Sequence, residues 1–124
     1  MSPKISSSEW EVMNTLWARS PRTAAEVFAA LPAGHDWHPK TVNTFLARLV
    51  AKGVARVTKE GHVNSYAALL RREECVAREG RGFLERVFHG ATGPMLLHFC
   101  EQADLTAEEI RELEKLLKKK KAKR

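Results

Sequence analysis

The sequence predicts a mainly α-helical chain. Three helices closed by a β-hairpin occupy residues 1–70, and a second set of three helices occupies 71–117. Three observations predict this. Apolar side chains recur in stripes at helical spacing on both sides of a short central segment. That segment holds two β-prone runs flanking Glu60-Gly61. Ser/Thr-x-x-Glu capping boxes open three of the helical segments.

The first helix runs from Ser6 to about Arg19. Ser6 and Glu9 form its capping box, and Trp10, Met13, Leu16 and Trp17 make its apolar stripe. Ser20-Pro21 ends it, because proline cannot continue the helix and restricts the residue before it. Thr23 and Glu26 open the second helix, whose apolar face is Val27, Phe28 and Leu31; Pro32 with Gly34 closes it. A polar linker over 34–38 carries Trp37.

The third helix, residues 39–52, starts with Pro39 in its first turn and stops at Gly53. Val42, Phe45, Leu46, Leu49 and Val50 form its core stripe. The opposite face carries Lys40, Thr44, Ala47 and Ala51, flanked by Thr41, Asn43, Arg48 and Lys52, and it has no acidic residue. The hairpin follows, with Gly61 placed for the positive φ of a tight turn and Arg56, Lys59, His62 and Asn64 near the tip.

The second set begins with a helix over 72–89 that ends in Phe83, Leu84, Val87 and Phe88. A break at 90–94 separates it from a helix over about 94–102 with Met95, Leu96, Leu97, Phe99 and Cys100. Thr106 and Glu109 open the last, whose stripe is Ile110, Leu113, Leu116 and Leu117. Short helices are marginal alone in water. Their apolar stripes are expected to be covered by a second copy of the chain in a symmetric dimer, with Phe83, Leu84, Val87, Phe88, Met95, Leu96, Phe99, Ile110, Leu113, Leu116 and Leu117 as the interface.

Charge is unevenly placed. The chain has 124 residues and a net charge of +6. Residues 1–72 carry ten basic and five acidic side chains, and 73–117 carry five basic and ten acidic. Residues 118–124, KKKKAKR, read as a basic disordered tail. A basic unit joined to an acidic one implies a polyanion partner for the first and a different task for the second. The two cysteines, Cys75 and Cys100, lack ligand spacing and are expected to be small buried hydrophobes; the five histidines do not cluster at ligand spacing either. No metal or cofactor is expected. GxSxG, HExxH and phosphate-binding glycine loops are absent, so no catalytic residues and no enzyme are expected. The N-terminal segment has no apolar signal-peptide core, and the expected location is the cytoplasm.

Three helices, an acid-free polar face on the third and a basic hairpin define a winged helix-turn-helix. Its third helix fits a major groove, where short polar side chains near the helix N-terminus read base edges. The candidate DNA contacts are Lys40, Thr41, Asn43, Thr44, Arg48 and Lys52 on the helix, and Arg56, Lys59, His62 and Asn64 on the wing, with the cations placed for phosphates. Trp10, Trp17 and Trp37 are read as packing residues.

These residues also resemble a known family. Ile5-Ser6, Glu9-Trp10-Glu11-Val12-Met13 and Leu16-Trp17 resemble the first helix of the BlaI/MecI/CopY family of bacterial repressors. Trp37-His38-Pro39-Lys40-Thr41-Val42, Leu46-Ala47-Arg48-Leu49 and Lys52-Gly53 resemble its recognition helix, and Glu60-Gly61 and Tyr66 its wing. Phe83-Leu84, Phe88-His89-Gly90 and Leu105-Thr106-Ala107-Glu108-Glu109-Ile110 continue the likeness through the dimerisation region. The resemblance implies a dimeric repressor on a palindromic operator, of the kind that controls β-lactamase and other antibiotic-resistance genes. It also implies a membrane sensor with protease activity as a possible partner. The family's Asn-Phe cleavage pair falls on His98-Phe99, where the phenylalanine is kept and the asparagine is not. His38 stands where the family often has serine as the N-cap of the recognition helix. The cysteine cluster of copper-responsive members has no counterpart here. Two rival readings are a protein-interaction module on the same scaffold and a repressor that senses a ligand or metal directly.

Overall fold

The computed structural model describes residues 4–32 and 36–123. Its elements run α1 (Ser7–Ala18), β1 (Arg22–Thr23), α2 (Ala24–Ala30), α3 (Pro39–Ala51), β2 (Ala55–Glu60), β3 (Val63–Ala68), α4 (Arg72–Phe88), α5 (Thr92–Gln102) and α6 (Ala107–Ala122). They divide into two units, Met1–Gly80 and Arg81–Arg124. The expected linker over 34–38 lies partly outside the described residues.

Caps start the helices of both units, and apolar stripes build the core of the first. Ser6, Thr23 and Thr106 each accept a hydrogen bond from a glutamate N–H three residues on. Each glutamate side chain accepts from the cap N–H in return, so all three capping boxes form. Val12, Met13 and Leu16 of α1, Val27 of α2, Val42, Leu46 and Leu49 of α3, and Val54 form the fully buried centre. Each such side chain stabilises the fold by roughly 1.5–3 kcal/mol through removal from water. Trp10 and Trp17 lie 5.3 Å apart between ring centres, packed against this core. The Trp17 indole donates to the Leu70 carbonyl at 3.0 Å, tying α1 to the chain after β3. The Ser20-Pro21 peptide is cis.

The sheet has three antiparallel strands in the order β1-β3-β2. β1 was not expected. It is two residues long, Arg22 and Thr23 opposite Tyr66 and Ser65, too short to leave an alternating pattern in the sequence. The hairpin register runs from Ala55↔Ala68 to Glu60↔Val63, so the two-residue loop is Gly61-His62, one position later than the sequence reading. Gly61 has φ +63° and is the first loop residue, the position where a tight hairpin turn favours glycine.

Helix boundaries differ from expectation in a few places. α3 ends at Ala51, with Lys52 as its C-cap and Gly53 at φ +77° turning the chain toward β2. α5 begins at Thr92, which puts Pro94 in the first turn, where its missing N–H costs no helical hydrogen bond. α6 continues through residues 118–121 to Ala122, correcting the disordered tail expected over 118–124. Lysine is a good helix former, and cations in the last turn complement the dipole, as Glu108 and Glu109 do in the first. The unit boundary falls at Gly80, inside α4, not at residue 70.

Within the second unit, Phe83 packs near Phe88 and Phe99, with ring centres 6.0 and 5.9 Å apart. Neither α5 nor α6 has a buried residue. Cys100 is therefore exposed, correcting the expectation that it is buried, whereas Cys75 in the first unit is buried as expected. Burial pushes the Cys75 thiol pKa up, Arg78 opposes that and Glu74 adds to it, so Cys75 stays an unreactive thiol. Among the described residues no helix is long and apolar enough to cross a membrane.

Candidate nucleic-acid interface

Helix α3 sorts its side chains by face. Val42, Leu46 and Leu49 are fully buried; Thr41, Phe45 and Val50 are half-buried; Lys40, Asn43, Thr44, Ala47, Arg48 and Ala51 are exposed. The exposed strip has cations, an amide, a hydroxyl and two methyl groups, with no acid anywhere in the helix. Among the described residues, Lys40 and Arg48 form no ion pair, so their charge is available to an anion. Thr44 is exposed and donates its hydroxyl to the Lys40 carbonyl at 3.2 Å, which leaves its oxygen able to accept a further hydrogen bond.

The start of α3 is built by the sequence before it. His38 is the N-cap, and its Nδ1 accepts from the Lys40 N–H at 3.1 Å, so the imidazole takes the place of a serine hydroxyl. Pro39 fills the first helical position. Trp37 stacks edge-on against Phe45 at 5.0 Å, pinning the entry to the helix on its half-buried side.

The wing places Arg56, Lys59, His62 and Asn64 on the surface. Lys59 and Asn64 are cross-strand partners and share a face. Arg56, three residues from Lys59 along β2, lies on the other face, because strand side chains alternate. His62 occupies the turn. The wing thus presents one cation to each side.

Lys52 departs from the sequence reading. Its Nζ donates to Glu9 Oε1 at 2.5 Å and to the Lys4 carbonyl at 2.7 Å. It is engaged within the chain, so its charge is less available to a phosphate than those of Lys40 and Arg48. Glu9 is 1% exposed, and the same oxygen accepts from the Ser6 N–H at 2.8 Å. Burial raises its pKa, but hydrogen bonds from Lys52 and Ser6 and the lysine charge outweigh that, so the carboxyl sits below its ordinary value and stays ionised. The sequence reading missed this pair. The signal was present: Glu9 stands on the same stripe as Val12, Met13 and Leu16, an acid on a core-facing row.

Of the residues expected to form a dimer interface, Val87, Leu96, Phe99, Ile110, Leu113, Leu116 and Leu117 are exposed, and Phe83, Leu84, Phe88 and Met95 are half-buried. His98 and Phe99 are both exposed on α5, with ring centres 5.5 Å apart.

A three-helix unit with a strand-paired hairpin and an acid-free helix face defines a winged-helix DNA-binding protein. Over residues 5–119 the chain matches the penicillinase repressor family, and it belongs to that family. It is 36% identical over 119 residues to the penicillinase repressor of Bacillus licheniformis, spanning 96% of this chain and 93% of that one. It is 33% identical over 117 residues to the methicillin resistance regulatory protein MecI of Mammaliicoccus sciuri, spanning 94% and 95%. The solution structure of monomeric Bacillus licheniformis BlaI with the blaP half-operator is similar with a TM-score of 0.50 and 36% identity. That likeness covers 60% of this chain and 90% of that one. The family is one of transcriptional repressors, not enzymes.

Proposed function

We propose that the chain is a homodimeric transcriptional repressor that reads a palindromic operator with α3 and grips the flanking backbone with its wing. The observation that carries this is the exposed, acid-free face of α3, with Lys40, Asn43, Thr44 and Arg48 outward above a fully buried apolar face. Thr41, Asn43 and Thr44 near the helix start contact base edges or nearby phosphates. Lys40, Arg48, Arg56 and Lys59 neutralise phosphates, and His62 and Asn64 sit at the wing tip. The related repressor captured on a half-operator supports this assignment, as does kinship with regulators of penicillin and methicillin resistance.

The apolar stripes of α5 and α6 serve dimerisation, which joins two half-sites into one operator. Release by a membrane sensor with protease activity would act at His98-Phe99. Both residues lie inside α5, so cleavage there requires that helix to open locally.

The test is a mobility shift of the purified protein on the DNA upstream of its own gene, with excess random DNA, at low and physiological salt. Retention of a short palindromic site at physiological salt is the expected result. Binding only at low salt, equal for all sequences, would reduce the protein to a non-specific DNA binder. No binding at either salt would favour a protein-interaction role.

A further inference from the structure

We propose that the Glu9–Lys52 pair is a positioning latch that fixes the rotation and axial placement of α3 on α1, and thereby which α3 side chains face the DNA. This rests on the DNA-binding reading above. α1 and α3 meet through aliphatic side chains, Val12, Met13 and Leu16 with Val42, Leu46 and Leu49. Such contact is non-directional, so burial alone favours the approach of the two helices without a specific pairing of atoms. The latch is directional. Lys52 is the C-cap of α3, and Glu9 lies in the first turn of α1. One carboxylate oxygen joins the Lys52 ammonium to the Ser6 cap, and the same ammonium reaches the Lys4 carbonyl. The far end of the reading helix is therefore tied to the start of α1 at two polar points, the Glu9 carboxylate and the Lys4 carbonyl, and the Ser6 cap holds that carboxylate in place.

A buried acid is a poor choice for stability alone, because an apolar side chain of similar size often stabilises as much or more. Fixing a register is the use for which such pairs are best supported. The position of the latch suits that use. Gly53 follows Lys52 at once and β2 begins at Ala55, so the anchor also sets where the wing leaves the helix.

The experiment compares wild type with Lys52→Met, Lys52→Arg, Glu9→Gln and Lys40→Met. Affinity is measured for an operator duplex and a random duplex over a range of salt. Folding is checked by circular dichroism and melting. With a latch, Lys52→Met loses about tenfold in operator affinity, the size of one misplaced base contact. It keeps its random-DNA affinity and its salt slope, Lys52→Arg regains most of the loss, and Glu9→Gln shows the same selective loss as Lys52→Met. Lys40→Met serves as the contrast: it weakens both duplexes and lowers the slope by about 0.9 per lost contact.

A lowered slope in Lys52→Met would make Lys52 a phosphate contact and overturn the latch. So would wild-type operator binding in that variant, or equal losses on both duplexes that track a loss of folded protein. If Lys52→Met does not fold, Glu9→Gln and Lys52→Arg decide by the same comparison. Absence of operator preference in the wild type overturns the DNA-reading assignment itself, and is seen before any variant is examined.

Discussion

Thr44 lies in the second turn of α3, exposed, with its hydroxyl proton directed to the Lys40 carbonyl. The oxygen can still accept from a base amino group, and the methyl can pack on a thymine methyl. Thr44→Ala should therefore cost on the order of 1–3 kcal/mol at the operator and nothing on random DNA. Lys40→Met should weaken both alike. Competition binding against the two duplexes separates these outcomes; operator binding unaffected by Thr44→Ala would remove that residue from the reading face. Glu9 carries a prediction about pH. Its folded-state pKa is depressed, so its contribution is fully present above the ordinary glutamate value of about 4.3 and is lost as pH falls below that through the folded value. Acid unfolding followed by circular dichroism should be less steep in Glu9→Gln than in wild type across that window. Identical acid profiles would contradict the ionised, hydrogen-bonded assignment of Glu9.

At the scale of elements, the wing depends on its turn. Gly61 sits at φ +63° with open space where a Cβ would stand, so the cost of a side chain there is backbone strain and not collision. Gly61→Ala should destabilise the first unit by about 1–2 kcal/mol, read as a lower denaturant midpoint. No change in midpoint would mean that the hairpin tip adopts another turn. The elements also show what local sequence reveals and what it hides. Capping boxes at Ser6, Thr23 and Thr106, and the stripe from Val42 to Leu49, depend on neighbours three or four residues away, so they were legible before the structure. β1 depends on pairing with residues some forty positions later, and two residues leave no periodic trace. The Glu9–Lys52 contact spans 43 residues. Lys52 looked like a phosphate ligand because, within its own helix, nothing competes for its charge.

At the scale of the whole molecule, the two units differ in what they bury. The first has a complete core. The second leaves Phe99 46% and Leu117 57% exposed in the single chain, and its helices α5 and α6 hold no buried residue. A dimer that covers these stripes predicts a melting temperature that rises with protein concentration, by mass action. Leu113→Glu should remove that dependence and shift the protein toward monomer in analytical ultracentrifugation. A concentration-independent melt in the wild type would contradict the dimer. The sequence reading located these stripes and inferred a partner from their lack of local cover. It stopped α6 five residues early, because a run of like charges read as solvated coil, although the same lysines complement the C-terminal end of a helix.

Operator recognition, as proposed, rests on the exposed face of α3 with the wing beside it. The most direct test is titration of isotope-labelled protein with the operator duplex, followed residue by residue by nuclear magnetic resonance. The largest amide perturbations are expected at Lys40, Thr41, Asn43, Thr44 and Arg48, with a second set at Lys59, His62 and Asn64, and little change at Trp17 and Leu70 on the α1 side of the core. Perturbations concentrated on α1, or on α6 with α3 unmoved, would contradict this.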